Sequence, residues 1–157
     1  MGSVWGDMDR RLLLAIATAF LAACDSFPRD PRSTLESVRA QGNFAVGYVA
    51  SARSSNVDPK TGQLLRSISA ATGASPTVAE GETDPLLLRL EEGQLDLVVG
   101  WFDKKSPWSS RVTFGPALET QRIGSSELLL RPVMQNGENG WISLVEGKAR
   151  DVGPEGQ

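Results

Sequence analysis

The chain has 157 residues, 40% hydrophobic, 22% charged and 6% aromatic, which is the balance of one soluble domain with a substantial core. Sixteen Lys and Arg against nineteen Asp and Glu give a net charge of −3, so no basic excess exists to neutralise the phosphates of a nucleic acid. The chain contains no histidine, which excludes Ser-His-Asp and Cys-His catalysis and histidine-ligated zinc.

The N-terminal residues have the pattern of an export signal. Residues 8–11 (MDRR) are a short basic region, and residues 12–23 are an apolar run. A helix of twelve residues rises about 18 Å, too little to cross a hydrocarbon core of about 30 Å but typical of a secretory signal. Residues 1–7 are then either an upstream extension or the result of a start codon that precedes the true one at Met8.

The apolar run ends in Leu-Ala-Ala before Cys24, the only cysteine of the chain. This order resembles the lipobox of bacterial lipoproteins, which implies a signal peptide over residues 1–23 and a Cys24 that carries palmitate-type acyl chains on the periplasmic side of a membrane. The alternative is a buried free thiol at the end of a core helix. Asp25 resembles the signal for retention in the inner membrane. Residues 24–32 contain two prolines and alternating charges, which predicts a short tether.

Helices and strands then alternate along the chain. The spacing predicts a helix over Thr34–Gln41, with a capping box formed by Ser33 and Glu36 and an end at Gly42. A strand is expected over 44–49, a loop over 51–60, a helix around 64–71 that ends at Gly73, and a weak strand over 76–79. Asp84 and the following proline predict a helix that continues to residue 92 and ends at Gly93, before an apolar strand over 95–100.

Further strands are predicted over 112–114 and 127–130, and a last helix begins near Asn136 or Asn139 and ends at Gly147. Residues 33–150 are then one domain, and residues 151–157 are a frayed tail. The alternation predicts an α/β fold with a mostly parallel sheet flanked by helices. We expect one shared core, formed by Leu86, Leu87, Leu90, Leu97, Val99, Leu64, Ile68, Trp141 and Val145.

About 85 residues resemble the periplasmic solute-binding proteins of family 3, the amino-acid-binding components of ABC transporters. The resemblance begins at Thr34–Gly42 and the strand that ends at Tyr48, and it is strongest over residues 87–118 (LLRLEEGQLDLVVGWFDKKSPWSSRVTFGPAL). The matching positions there are Gly93, Asp96, Val98, Val99, Gly100, Ser106, Val112, Phe114 and Pro116. The resemblance implies one lobe of a type II periplasmic binding protein.

Three departures from the family accompany this resemblance. About 40 residues follow Pro116, where family members continue for about another hundred and build a second lobe. The family's arginine for the ligand carboxylate falls near Ser109, so Arg111 replaces it only if the loop is rebuilt. The stretch before the first long helix is shortened to Lys60–Leu64. We infer one lobe with the other deleted; a truncated gene is the alternative.

The expected ligand-binding residues are Trp101, Phe102, Ser106, Trp108 and Arg111, because ligands of parallel α/β sheets lie beyond the carboxyl ends of the strands. The alternative is that the aromatic rings fill space that the missing lobe would cover. Glu80, Glu82 and Asp84 form either a cation site or, more simply, the solvated entrance of a helix. The lysine pair at 104–105 either meets lipid headgroups or is plain surface charge. No phosphate-binding loop is present, and we expect neither metal nor cofactor.

The sequence therefore predicts a membrane-anchored periplasmic lipoprotein, a recognition or accessory component of a transport system. Its expected partners are the membrane through Cys24, an inner-membrane transporter and a small polar solute, and not a nucleic acid. The alternative is an interaction or regulatory module that kept the lobe without a ligand pocket. An enzyme is not expected, because relatives that degrade cell-wall glycans need an acid pair in a separate domain.

Overall fold

The computed structural model describes residues 30–49 and 58–154. The predicted signal peptide, Cys24, Asp25 and most of the predicted tether lie outside these residues. Four helices and six strands follow one another in the order α1 (Thr34–Gln41), β1 (Asn43–Val49), α2 (Pro59–Thr72), β2 (Ser75–Gly81), α3 (Thr83–Glu91), β3 (Leu97–Asp103), β4 (Val112–Phe114), β5 (Glu119–Ile123), β6 (Ser126–Gln135) and α4 (Asn139–Val152).

The six strands form one sheet with the order β2-β1-β3-β6-β4, and β5 also pairs with β6. The pairs β1–β2 and β1–β3 are parallel, as expected for strands joined by crossover helices. Strand β6 runs against β3, β4 and β5, so five strands share one direction and β6 alone opposes them. The predicted α/β fold with a mostly parallel sheet is confirmed, with one reversed strand inside it.

Two cores lie on opposite faces of the sheet, so the expectation of one shared core is wrong. Successive residues of a strand point to opposite faces, and β3 therefore sends Leu97 and Val99 to one core and Val98 to the other. The first core is covered by α1, α2 and α4 and contains the fully buried Trp141. The second core is covered by α3, whose buried residues are Leu86, Leu87 and Leu90.

Several element bounds differ from the sequence-based expectation. Helix α2 begins at Pro59, because the carboxylate of Asp58 accepts a hydrogen bond from the backbone N–H of Lys60 and caps it. Strand β3 continues beyond Gly100 to Asp103, since its pairing with β6 extends that far. Helix α4 runs through Gly147 to Val152, because Val145, Ala149 and Val152 continue its apolar face. The expected frayed tail is therefore helical at residues 151–152.

The N-terminal segment is fixed on the domain by two acidic residues. The buried carboxylate of Glu138 accepts hydrogen bonds from the backbone N–H groups of Arg32 (2.7 Å) and Thr34 (2.8 Å). The carboxylate of Asp30 accepts from the N–H groups of Asn139 and Gly140 in the first turn of α4. The capping box expected at Ser33 is not formed. The backbone of Ser33 is in the left-handed region with φ 50°, and its side chain makes no capping hydrogen bond. The carboxylate of Glu138 accepts instead from the N–H of Thr34, the first residue of α1.

A tight hairpin joins β5 and β6. Strands β5 and β6 pair from Glu119↔Leu130 to Ile123↔Ser126, and Gly124 and Ser125 form the turn between them, with Gly124 at φ 61°. The chain then returns along β6 and places α4 on the first core. No helix among the described residues is long and apolar enough to span a membrane.

Candidate functional site

The expected site lies at the carboxyl edge of the sheet, which we define as the edge where β1, β2 and β3 end and β6 begins. Of the five expected ligand-binding residues, two lie within β3 itself. The ring of Phe102 is buried and packs edge-on against Phe114, with centroids 5.3 Å apart, so it belongs to the second core. Trp101 lies on the opposite face, half-buried against the first core. These two side chains do not share a pocket.

The other three expected residues form one network beside α3. The hydroxyl of Ser106 accepts a hydrogen bond from the backbone N–H of Trp108 and caps a single 3₁₀ turn over Pro107–Ser110. The indole N–H of Trp108 donates to the carboxylate of Asp84 at 2.9 Å, in the first turn of α3. Its ring is half-buried and packs against the second core. The loop after β3 is therefore folded onto α3.

Arg111 does not point into the carboxyl edge. Its guanidinium lies over the ring of Trp108, 4.4 Å from the centroid, and forms an ion pair with Glu91 at the far end of α3. A guanidinium held between an aromatic ring and a carboxylate already has its partners. The observed loop therefore does not place Arg111 where it would replace the family's arginine.

Arg131 is the residue at this edge that the sequence analysis missed. It lies in β6 opposite Gly100, with its guanidinium 4.0 Å from the centroid of Phe114. One Nη atom donates to the backbone oxygen of Asp103 at 3.1 Å, while the buried Nε has no hydrogen-bond partner among the described residues. Burial lowers the pKa of Arg131, and the charge of Asp103 opposes this shift. The sequence signal was a single cation within the apolar run of β6 over residues 128–134.

Acidic side chains line the adjoining turn between β2 and α3. Glu80, Glu82 and Asp84 are all exposed, and the N–H groups of the first turn of α3 lie beside them. No group of three His, Cys, Asp or Glu side chains within residues 30–49 and 58–154 is arranged to hold a metal ion. These three acids lie at the solvated entrance of α3.

The two lysines that follow β3 are surface residues. Lys104 forms an ion pair with Glu127 at 2.9 Å, and this contact lowers the pKa of Glu127. Lys105 is exposed. Together with Arg131, these groups give the carboxyl edge a mixed charge, with acids on the β2 side and cations on the β6 side.

A cavity lies at the opposite edge, where β1 and β3 begin. Its volume is about 530 Å³, and none of the five expected ligand-binding residues lines it. Its walls come from the N-terminal segment, α1, residues 93–96 and the start of α4, and they include Arg32, Gln41, Asn43, Gln94, Asp96 and Trp141.

No protein-family model matches the chain, and no curated protein matches it in sequence. Solved structures share its fold. The arginine-bound form of domain 1 from TmArgBP matches with a TM-score of 0.62 at 15% identity, over 73% of this chain and 97% of that chain. Truncated, arginine-bound ArgBP from T. maritima matches with a TM-score of 0.62 at 8% identity, over 74% and 99%.

A third match is AbpA, an amino acid ABC transporter substrate-binding protein from Streptococcus pneumoniae bound to L-arginine. Its TM-score is 0.60 at 8% identity, over 74% of this chain and 91% of that chain. At such identities the likeness establishes the fold, a mixed α/β lobe like a domain of a solute-binding protein. These neighbours are substrate-binding proteins and not enzymes.

Proposed function

We propose that this chain is the solute-recognition lobe of a membrane-anchored transport component, and that it binds a small cationic amino acid of the arginine type at the carboxyl edge. One observation carries the proposal: the described fold matches a structure of domain 1 from TmArgBP, and that protein is a single domain in an arginine-bound form. Domain 1 alone is sufficient to hold arginine in that neighbour, so a lobe of the described size is compatible with binding a solute.

The charges of the carboxyl edge support a cationic amino acid. The exposed carboxylates of Glu80 and Glu82 are suited to a guanidinium or ammonium group. Across the edge, an Nη atom of Arg131 donates to the backbone oxygen of Asp103 at an exposed position, and the Nη side of the guanidinium is suited to a carboxylate. We assign Arg131 this role in place of Arg111, which is paired with Glu91.

The test is a thermal-shift screen of the purified chain with L-arginine, L-lysine, L-glutamate and succinate. L-Arginine and L-lysine should raise the melting temperature, because a ligand that binds only the folded state stabilises it, while succinate should not. The E80Q/E82Q variant should lose this response, and the control E36Q, which removes an exposed acid from α1, should keep it. If no amino acid shifts the melting temperature of the unaltered chain, the proposed binding function is wrong.

The second candidate is an interaction or regulatory module without a ligand. It is favoured by the internal contacts of the expected site: Trp108 bonds to Asp84, Arg111 pairs with Glu91, and Phe102 is buried. A chain of this kind would bind a protein partner at the same edge. The E80Q/E82Q variant separates the two candidates, because only a solute binder at the carboxyl edge loses its response to L-arginine when these two charges are removed.

The membrane anchor is proposed on the sequence alone. The basic region, the apolar run and Cys24 occur in the order that a lipoprotein signal requires, and Asp25 favours the inner membrane. Intact-mass spectrometry of the membrane-extracted protein should show a mature chain that begins at Cys24 and carries a diacylglycerol. The Cys24→Ser variant should be soluble or remain an uncleaved precursor. A diacylglycerol on that variant would exclude Cys24 as the lipidation site.

A further inference from the structure

The cavity at the amino ends of β1 and β3, here called the lower cavity, is a second place where a ligand fits. Its volume of about 530 Å³ is in the range of small-molecule sites. It lies at the edge of the sheet opposite the carboxyl edge, so it is separate from the proposed arginine site. Its lining includes five uncharged side chains that can form hydrogen bonds, namely Ser37, Gln41, Asn43, Gln94 and Gln135.

Two acids line the lower cavity, Asp96 and Glu138. Both carboxylate oxygens of Glu138 already accept backbone hydrogen bonds, so Asp96 is the acid with an oxygen left for a ligand. Its Oδ2 accepts a hydrogen bond from the backbone N–H of Ala45 at 2.7 Å, and its backbone oxygen accepts from the indole N–H of Trp141 at 2.7 Å. Its Oδ1 has no hydrogen-bond partner among the described residues. Burial raises the pKa of Asp96, and the single bond from Ala45 only partly offsets this. A half-buried carboxylate with one open oxygen is a favourable site for an N–H donor.

Arg32 supplies the positive charge. Its backbone N–H is fixed by Glu138, and its guanidinium lies directly against Gly93, where no Cβ would fit. Gly93 belongs to the short segment that leads to Asp96, so both charges flank the same wall of the cavity. The ion pairs of the described residues do not include Arg32. Arg32 and Asp96 therefore do not form an ion pair with each other.

We propose that the lower cavity binds a small zwitterion, with the protonated amine of the ligand at Asp96 and its anionic group at Arg32. Two sources share this chemistry: a free amino acid, and the phosphoethanolamine headgroup of a lipid. The second source depends on the proposed anchor. Asp30 is fixed beside the cavity, and the six residue steps from Cys24 to Asp30 span at most about 20 Å, which would hold the lower cavity close to the bilayer.

The test is a two-dimensional ¹H–¹⁵N NMR titration of the chain with two pairs of probes. L-Alanine and O-phosphoethanolamine are the zwitterions, and L-lactate and ethyl phosphate are their counterparts without an amine. Zwitterions should shift the amide of Ala45 and the indole N–H of Trp141, which both bond to Asp96. The counterparts should leave these signals in place. Stronger binding of L-alanine identifies the free solute as the source, and stronger binding of O-phosphoethanolamine identifies the headgroup.

Two variants and one control make the result specific. Asp96→Asn keeps an oxygen for the N–H of Ala45 but loses the charge, and it should weaken binding about 10- to 100-fold. Ser37→Trp should block the lower cavity from the surface of α1 and abolish binding. Asp151→Asn removes an exposed acid from the end of α4 and should change nothing. Unmoved signals in the unaltered chain, or undiminished binding by Asp96→Asn, would overturn the proposal.

Discussion

Replacing Trp141 with alanine tests the packing of the last helix on the sheet. The side chain is 1% exposed, its ring packs edge-on against Phe44 with centroids 5.8 Å apart, and its indole N–H donates to the backbone oxygen of Asp96. Truncation of a large buried aromatic costs about 3–5 kcal/mol, and loss of the hydrogen bond adds about 1 kcal/mol. We therefore expect a loss of about 4–6 kcal/mol in the free energy of unfolding.

Trp141→Phe is the matched control, because it keeps a ring against Phe44 and removes the indole N–H. It should cost clearly less than the alanine variant. Urea unfolding followed by far-UV circular dichroism gives both values, and the denaturant slope shows whether unfolding stays cooperative. An ordinary domain has about 5–15 kcal/mol of stability, so the alanine variant should lie close to the unfolding threshold. A loss below about 1 kcal/mol for Trp141→Ala would refute the packing of α4 on the first core.

Three further predictions concern the same edge of the molecule. A chain that stops at Asn136 lacks α4 and should show no cooperative thermal unfolding in calorimetry; an unchanged melting temperature would mean that α4 is an appendage. Glu138→Ala leaves the N–H groups of Arg32 and Thr34 without acceptors and should cost about 2–5 kcal/mol in urea unfolding, whereas a neutral result would show that water replaces the carboxylate. Burial raises the folded-state pKa of Asp96 above its ordinary value. The carboxyl group of Asp96 therefore stays protonated to a higher pH in the folded chain than in the unfolded chain. Stability should therefore fall as the pH rises from the ordinary value through the raised pKa. Asp96→Asn should remove this pH-dependent loss of stability and be more stable than the unaltered chain at neutral pH. A lower stability of Asp96→Asn at neutral pH would contradict the raised pKa of Asp96.

Local signals in the sequence were sufficient for most helices and strands. Helix α1 has its predicted bounds, and Gly42 and Gly73 take the left-handed conformation that ends their helices. Two of the bounds that failed depend on distant partners. Strand β3 extends past Gly100 because β6 pairs with it, and α4 continues through Gly147 because the first core holds its apolar face.

The candidate site was less predictable than the fold, because side-chain direction depends on tertiary contacts. Trp101 and Phe102 are neighbours in sequence, but alternation along β3 sends them to different cores. Arg111 was assigned from its distance to the family motif, and its ion pair with Glu91 could not be foreseen without the position of α3. The lower cavity joins residues 32–45 with residues 93–96 and 135–141, and no local pattern reveals such a combination.

Calorimetric titration of L-arginine into the Asp96→Asn variant tests the central proposal most directly, because this variant lacks the charge of the lower cavity and leaves the carboxyl edge intact. We expect a saturable heat with one ligand per chain, and we expect this heat to disappear when E80Q/E82Q is added to the same variant. Absence of any heat in the Asp96→Asn variant, or a heat unaffected by E80Q/E82Q, would contradict arginine recognition at the carboxyl edge.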